Sequence, residues 1–167
     1  MIFLPIYMNI ITNRKKSRKL LFQELYAMSI NDFNSSLFRE SFFSDVFTYE
    51  PDEKYINEME KIIRYYEPFF VNILQKYSPK FNVKTMSLSY ILPIYIWLAE
   101  MFFYSEEIPA KVSINEAVEV AKVYWDDSSK KIVNWVLNKV YEDYEELNKV
   151  KLNDYSSINE TCFKKLI

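Results

Sequence analysis

None of the 167 residues is glycine, and that absence constrains the fold more than any residue present. Two-residue β-hairpin turns need backbone angles at positive φ, which glycine adopts at little steric cost, so tight hairpins are poorly served. Apolar residues recur at spacings of three and four rather than two, the period of an amphipathic helix. Together these predict an all-α protein. The same absence removes the glycine-rich loops of P-loop and dinucleotide-binding proteins, whose backbones must approach a phosphate without a Cβ. Histidine is absent too, which removes His-based triads, His proton shuttles and His-containing metal sites. Catalysis is disfavoured and no cofactor is expected.

Length suits one domain with its own core. Half the residues are hydrophobic and 18% aromatic, far from the composition of a disordered chain. Cys162 is the single cysteine; with no internal disulfide to form, nothing points to an oxidising compartment, and the cytoplasm is expected. The apolar opening "MIFLPIYMNIIT" is shorter than the ~20 residues of a membrane span and lacks a basic region ahead of it. Residues 1–12 therefore read as a flexible leader, residues 13–150 as the folded domain, and residues 151–167, where periodicity fades, as a mobile tail carrying an inert Cys162.

The coarse helical pattern is as follows. A first helix starts between Asn13 and Ser17 and reaches Met28, with Leu21, Leu25 and Met28 on one face. A second fits Leu37 to Phe47. A third starts at an Asp52 cap, with a stripe of Tyr55, Ile56, Met59, Ile62, Ile63 and Tyr66, and Pro68 predicts a kink or break in it. Ser87 can cap "LSYILPIYIWLAEMFFY", apolar nearly all round and so the central core helix, too short and too interspersed with polar residues for a membrane span. Ser113 and Glu116 in "SINE" have the spacing of a capping box. Asp126, Asp127 and Ser128 can cap a long last helix with Ile132, Val133, Val136, Leu137, Val140 and Tyr144 at core spacing. The acidic pairs Glu106/Glu107, Asp126/Asp127 and Glu145/Glu146 read as solvated surface or caps.

One stretch has two readings on charge patterning alone, a solvated helix start and a nucleic-acid site. "RKKSRK", Arg14 to Lys19, puts five cations in six positions of a chain with formal net charge −2, leaving −7 on everything else. The macrodipole at a helix N-terminus prefers anions. A basic cluster placed there, with no carboxylate beside it, asks for an anionic partner.

The segment from Ile108 to Val140, "IPAKVSINEAVEVAKVYWDDSSKKIVNWVLNKV", resembles the NusB family of bacterial transcription antitermination factors, whose usual wording is close to "IPxKVAINEAVELAK" followed by "KFVNGVLD". Upstream, "KYSPKFNVKTMS" looks like that family's loop before its central helix, Glu100 stands where the helix keeps a glutamate, and "SRKLLFQELY" looks like "ARxxAVQALY". The resemblance covers about Arg14 to Val140. It implies a compact helical bundle of six to seven helices in two small subdomains. It also implies a non-catalytic role: pairing with a NusE-like small-subunit ribosomal protein to hold single-stranded boxA RNA within the RNA polymerase antitermination complex, away from membranes, in support of ribosomal RNA transcription. Monomer and homodimer both stay open.

Carried over by position, the resemblance implies RNA contacts at Arg14, Lys15, Lys16, Arg18, Lys19, Gln23, Tyr26, Lys130, Lys131 and Asn134, and protein-partner contacts at Glu100 and Ser128. Departures are visible. Ile132 stands where the family often has Phe, and Ser128 where it commonly has Asp. Trp125 and Trp135 stand where it usually has Gly, and Trp97 where it has Gly or Ala. An indole at position 135 would have to be housed on a helix made for close approach, and overpacking costs ~1–3 kcal/mol. Two other readings fit the residues: a protein-interaction module on the same fold with little RNA binding, and a detached copy of the NusB-like domain of an rRNA cytosine methyltransferase, which would need a following cofactor domain for which this chain leaves no room.

Overall fold

The structure, a computed structural model, describes residues 6–30, 36–39, 51–104, 106–122 and 126–163; the side chains of residues 6–13, 120, 121 and 129 lie outside that description. The described residues form helices and no strand. In chain order these are α1 (Ile6–Ile30), α2 (Glu53–Tyr77), α3 (Leu88–Phe103), α4 (Ala110–Ala121), α5 (Asp127–Glu142) and α6 (Tyr144–Val150), with a further helical turn at residues 36–39. Most of the expected Leu37–Phe47 helix lies outside the described residues. No described residue has positive φ and no described peptide bond is cis, so the described part of the chain makes its turns without the conformations that glycine serves.

The core forms around α3, whose residues Ile91 to Phe102 are all buried, as expected of a helix apolar on every side. Helices α1, α2 and α4 pack against it, and α5 lies against α2 and α4. Ring contacts stitch the layers together: Phe69 of α2 meets Phe102 edge-on at 5.2 Å, and Tyr66 stacks on Phe103 at 4.2 Å. On α2, the predicted stripe is seen directly, with Tyr55, Ile56, Met59 and Ile63 inside the core. Asp52 caps that helix by accepting from the Tyr55 N–H at 3.0 Å.

Several local expectations are corrected. Helix α1 begins at Ile6, so the basic cluster sits in mid-helix rather than at an exposed N-terminus, and the dipole argument no longer applies. Of the kink or break expected at Pro68, the break is absent, since α2 is continuous through it. Ser87 occupies the N-cap position of α3 without a side-chain capping bond; its Oγ lies 2.7 Å from that of Ser89 instead. Helix α4 starts earlier than the "SINE" box implies, with Pro109 at its N-cap, so Ser113 is an interior residue facing the core. The long last helix is interrupted at Asp143, which accepts a 2.5 Å hydrogen bond from the Tyr77 hydroxyl.

Of the segment read as a mobile tail, the described residues 151–163 pack onto the domain. Tyr155 lies 5.5 Å from the Phe69 ring, and Phe163 is buried. The buried Glu67 carboxylate accepts from the Tyr95 hydroxyl at 3.1 Å and from the Cys162 and Phe163 N–H groups at 2.5 and 3.0 Å. Burial pushes the Glu67 carboxyl above its ordinary range, against the lowering effect of those donors, and it pushes the Cys162 thiol up as well. Among the described residues, no helix is long and apolar enough to cross a membrane.

Candidate nucleic-acid interface

Helical register sorts the basic cluster into two sets. Positions 14 and 18 continue the stripe of Leu21 and Leu25, at the i, i+4, i+7, i+11 spacing of a buried face. Lys15, Lys16 and Lys19 fall on the exposed side. The two sets have different partners.

Arg18 is only 4% exposed. Its guanidinium forks onto Glu100, with Nε to Oε1 at 2.7 Å and Nη2 to Oε2 at 3.3 Å, and its Nη1 lies 3.2 Å from Glu116. The Tyr55 hydroxyl donates to the same Glu100 carboxylate. Burial works against the Arg18 charge, but the hydrogen bond and charge of Glu100, with Glu116 behind them, hold its pKa above the ordinary value. Burial and the Glu100 charge push the Tyr55 hydroxyl well up. Such a closed network is how a buried charge is tolerated. Two expectations are therefore corrected. Arg18 has no face open to a phosphate, and Glu100, 1% exposed, has none open to a protein partner.

Arg14 is also largely inward. It pairs with Asp52 at 3.1 Å and Glu107 at 3.9 Å, and its guanidinium sits 4.2 Å above the Tyr55 ring. Next to it, the Asp52 N–H donates to Ser17 Oγ at 2.9 Å. These contacts tie the start of α2 to α1, so Arg14 holds the scaffold rather than offering itself to a ligand.

The three lysines make the outward surface. Glu119 on α4 accepts from Lys122 and has its pKa held low first by that bond and then by the charges of Lys122, Lys15 and Lys19. Lys15 and Lys19 thus share a field with Lys122, a cation that the sequence reading did not single out. Its signal was the Glu119 spacing three residues earlier on a helical pattern. Gln23 is half-buried one turn beyond Lys19, and Tyr26 is 41% exposed beside Phe22, with ring centroids 6.2 Å apart. The lysines, Gln23 and Tyr26 are on one helix.

On α5, Lys130 is half-buried and paired with Asp127 at 3.2 Å, while Lys131 and Asn134 are exposed. Ser128 is exposed and donates from Oγ to Asp126 at 3.0 Å. Ile132, expected in the core, is 55% exposed and Trp135 is 52% exposed, whereas Val133, Val136, Leu137 and Val140 are buried. The indole at position 135 therefore overpacks nothing. Of the two tryptophans among the described side chains, it is Trp97 that is enclosed, fully buried in α3; Trp125 lies outside the described residues.

Among the described residues, no group of three or more His, Cys, Asp or Glu could hold a metal ion. An open cavity of about 440 Å³ between α2 and the C-terminal segment is lined by Arg64, Tyr66, Lys151 and Tyr155 among others, and none of its lining residues is one expected from the sequence to contact RNA or a protein partner.

The fold and this surface define an all-helical class of protein in which inward arginines fix a bundle and outward lysines leave a cationic helix face. Comparison with known proteins makes the class specific: the NusB family model matches residues 15–142, and the chain belongs to the NusB family. The chain is 32% identical over 137 residues to the transcription antitermination protein NusB of Clostridium perfringens, covering 78% of this chain and 98% of that relative. It is 31% identical over 134 residues to the protein of the same name from Clostridium acetobutylicum, with 80% and 98% covered. For Clostridium novyi the identity is 33% over 132 residues, with 77% and 97% covered. No solved structure gives a significant match.

Proposed function

We propose that this chain is a transcription antitermination factor that binds single-stranded boxA-type RNA together with a NusE-like small-subunit ribosomal protein, acting in the cytoplasm on the elongating RNA polymerase in support of ribosomal RNA transcription. One observation carries the reading: in a chain of net charge −2, Lys15, Lys16 and Lys19 are exposed on one helix that also presents Gln23 and Tyr26. Clustered lysines neutralise phosphates without reading sequence, and an aromatic and an amide beside them can stack and hydrogen-bond unpaired bases. Lys131 and Asn134 of α5 extend the surface, and exposed Ser128 is left as the protein-partner contact.

About four outward lysines, namely Lys15, Lys16, Lys19 and Lys131, give a log–log salt slope of about −3 for single-stranded RNA. The test is fluorescence anisotropy of a labelled boxA-like RNA, with and without the NusE-like partner. Raising salt from about 50 to 200 mM should weaken binding about fiftyfold, and the K15E/K16E/K19E variant should lose RNA while retaining the partner. Partner binding without RNA binding in the unmutated protein would replace this reading with that of a protein-interaction module.

A further inference from the structure

The exposed indole of Trp135 is unaccounted for by the packing of α5. Residues 131, 135 and 138 recur at i, i+4 and i+7 and form one stripe on that helix, and all three are exposed. The stripe reads Lys131, Trp135, Asn138, flanked by exposed Ile132 and Asn134. Val133, Val136, Leu137 and Val140 take the opposite, packed side. Between Ser128 and Tyr141 the chain has three lysines and no carboxylate, although its net charge is negative. Lys131 makes no ion pair among the described residues, whereas Lys130 and Lys139 are paired to Asp127 and Glu142 at the helix ends.

Resting on the RNA-binding reading above, we infer that Trp135 is a stacking platform for one unpaired base of the RNA, with Lys131 neutralising an adjacent phosphate and the Asn134 amide within reach of the base edge. The apolar part of the stripe is two side chains wide, too small for the fully desolvated centre of a protein interface but the size of a single base. Its rim carries the Lys131 ammonium and the Asn134 and Asn138 amides, and the two exposed carboxylates that continue the stripe, Asp127 and Glu142, are each neutralised by a lysine, Lys130 and Lys139. Every base has a π-face, so a platform of this kind adds affinity with little demand on sequence, and its contribution is not ionic.

Three readouts test this in the full-length protein with the NusE-like partner present. Binding of boxA-like RNA should quench tryptophan fluorescence in the unmutated protein, and W135A should lose most of that quench. W135A should bind the RNA about tenfold more weakly with an unchanged salt slope, while W135F, which keeps an aromatic ring, retains most of the affinity. Replacing the RNA by one of equal length lacking bases should erase the difference between W135A and the unmutated protein. Matching thermal melts verify that the exposed substitution leaves the fold intact. If W135A binds RNA normally while K15E/K16E/K19E does not, the platform is overturned and the RNA reading survives. If W135A instead loses the protein partner alone, Trp135 is a protein contact and the inference fails. If the unmutated protein binds no RNA with the partner present, both the inference and the reading beneath it fall.

Discussion

At the scale of single residues, the choice between arginine and lysine separates structure from surface. The guanidinium fork suits a carboxylate held inside a protein, and the more strongly hydrated ammonium suits solvent. Arg18 meets Glu100, Glu116 and, through Glu100, Tyr55, all in one network. Removing one member of a buried pair strands the other charge. R18A should therefore cost about 3–5 kcal/mol, seen as a fall of roughly 10 °C in melting temperature. The R18M/E100Q double variant, which removes both charges and leaves Tyr55 an acceptor, should be less destabilised than R18A, and a double variant as unstable as the two losses added would show that the pair is not coupled. An R18A variant therefore tests the fold, and the proposed RNA interface is tested at the exposed lysines instead. The inward direction of Arg14 and Arg18 is legible in the sequence, since both continue the Leu21 and Leu25 stripe, although their charge alone groups them with the lysines.

At the scale of elements, the start of α2 is where the bundle is fastened. Asp52 caps the helix through the Tyr55 N–H and pairs with Arg14, while its own N–H is satisfied by Ser17 of α1. One carboxylate thus serves a helix end and an inter-helix contact. D52A should lose about 1–2 kcal/mol, and D52N, whose side chain still accepts at the cap, should lose less. The check is the urea midpoint at constant m-value; equal losses in the two variants would assign the effect to the charge alone. Asp52 was legible as a cap because a capping residue followed by an amphipathic stripe is a local signal. The capping box at Ser113 and Glu116 was misleading for the opposite reason: the spacing is local, but tertiary packing started α4 at Ala110 and gave Glu116 to Arg18.

At the scale of the whole molecule, the C-terminal segment closes over the domain. Glu67, buried in α2, gathers Tyr95 of α3 and the backbone of Cys162 and Phe163, joining three parts of the chain at one carboxylate. Its pKa in the folded protein is raised by burial, so the folded state binds its proton more readily than the unfolded chain does. The stability this group contributes is therefore full below the unfolded pKa and declines as pH rises through the raised folded value. Relative to E67Q, which cannot titrate, the unmutated protein should gain stability as pH falls from neutral through the raised pKa toward the ordinary glutamate range. Urea denaturation of both proteins across that window measures the difference, and a pH-independent gap would remove Glu67 as its source.

Local information in the sequence determined the all-helical class, the enclosure of α3, the stripe of α2 and the presence of a cationic cluster, because composition and periodicity act within a few turns of chain. The resemblance to the NusB family was equally legible, since its wording survives in contiguous blocks. Helical register separates the inward arginines from the outward lysines, but only the tertiary structure supplies the partner that holds Arg18 inside. Whether Arg18 is a ligand contact or an interior ion pair depends on Glu100, eighty-two residues away, and no local pattern carries that distance. The same holds for the C-terminal segment, whose fading periodicity looked like a loose end until Glu67, ninety-five residues before Cys162, supplied the acceptor for its backbone. It holds for Trp135, whose exposure follows from α5 burying only its Val133, Val136, Leu137 and Val140 face: a side chain's own chemistry sets what it can bind, and the elements packed around it decide whether it is left free to do so.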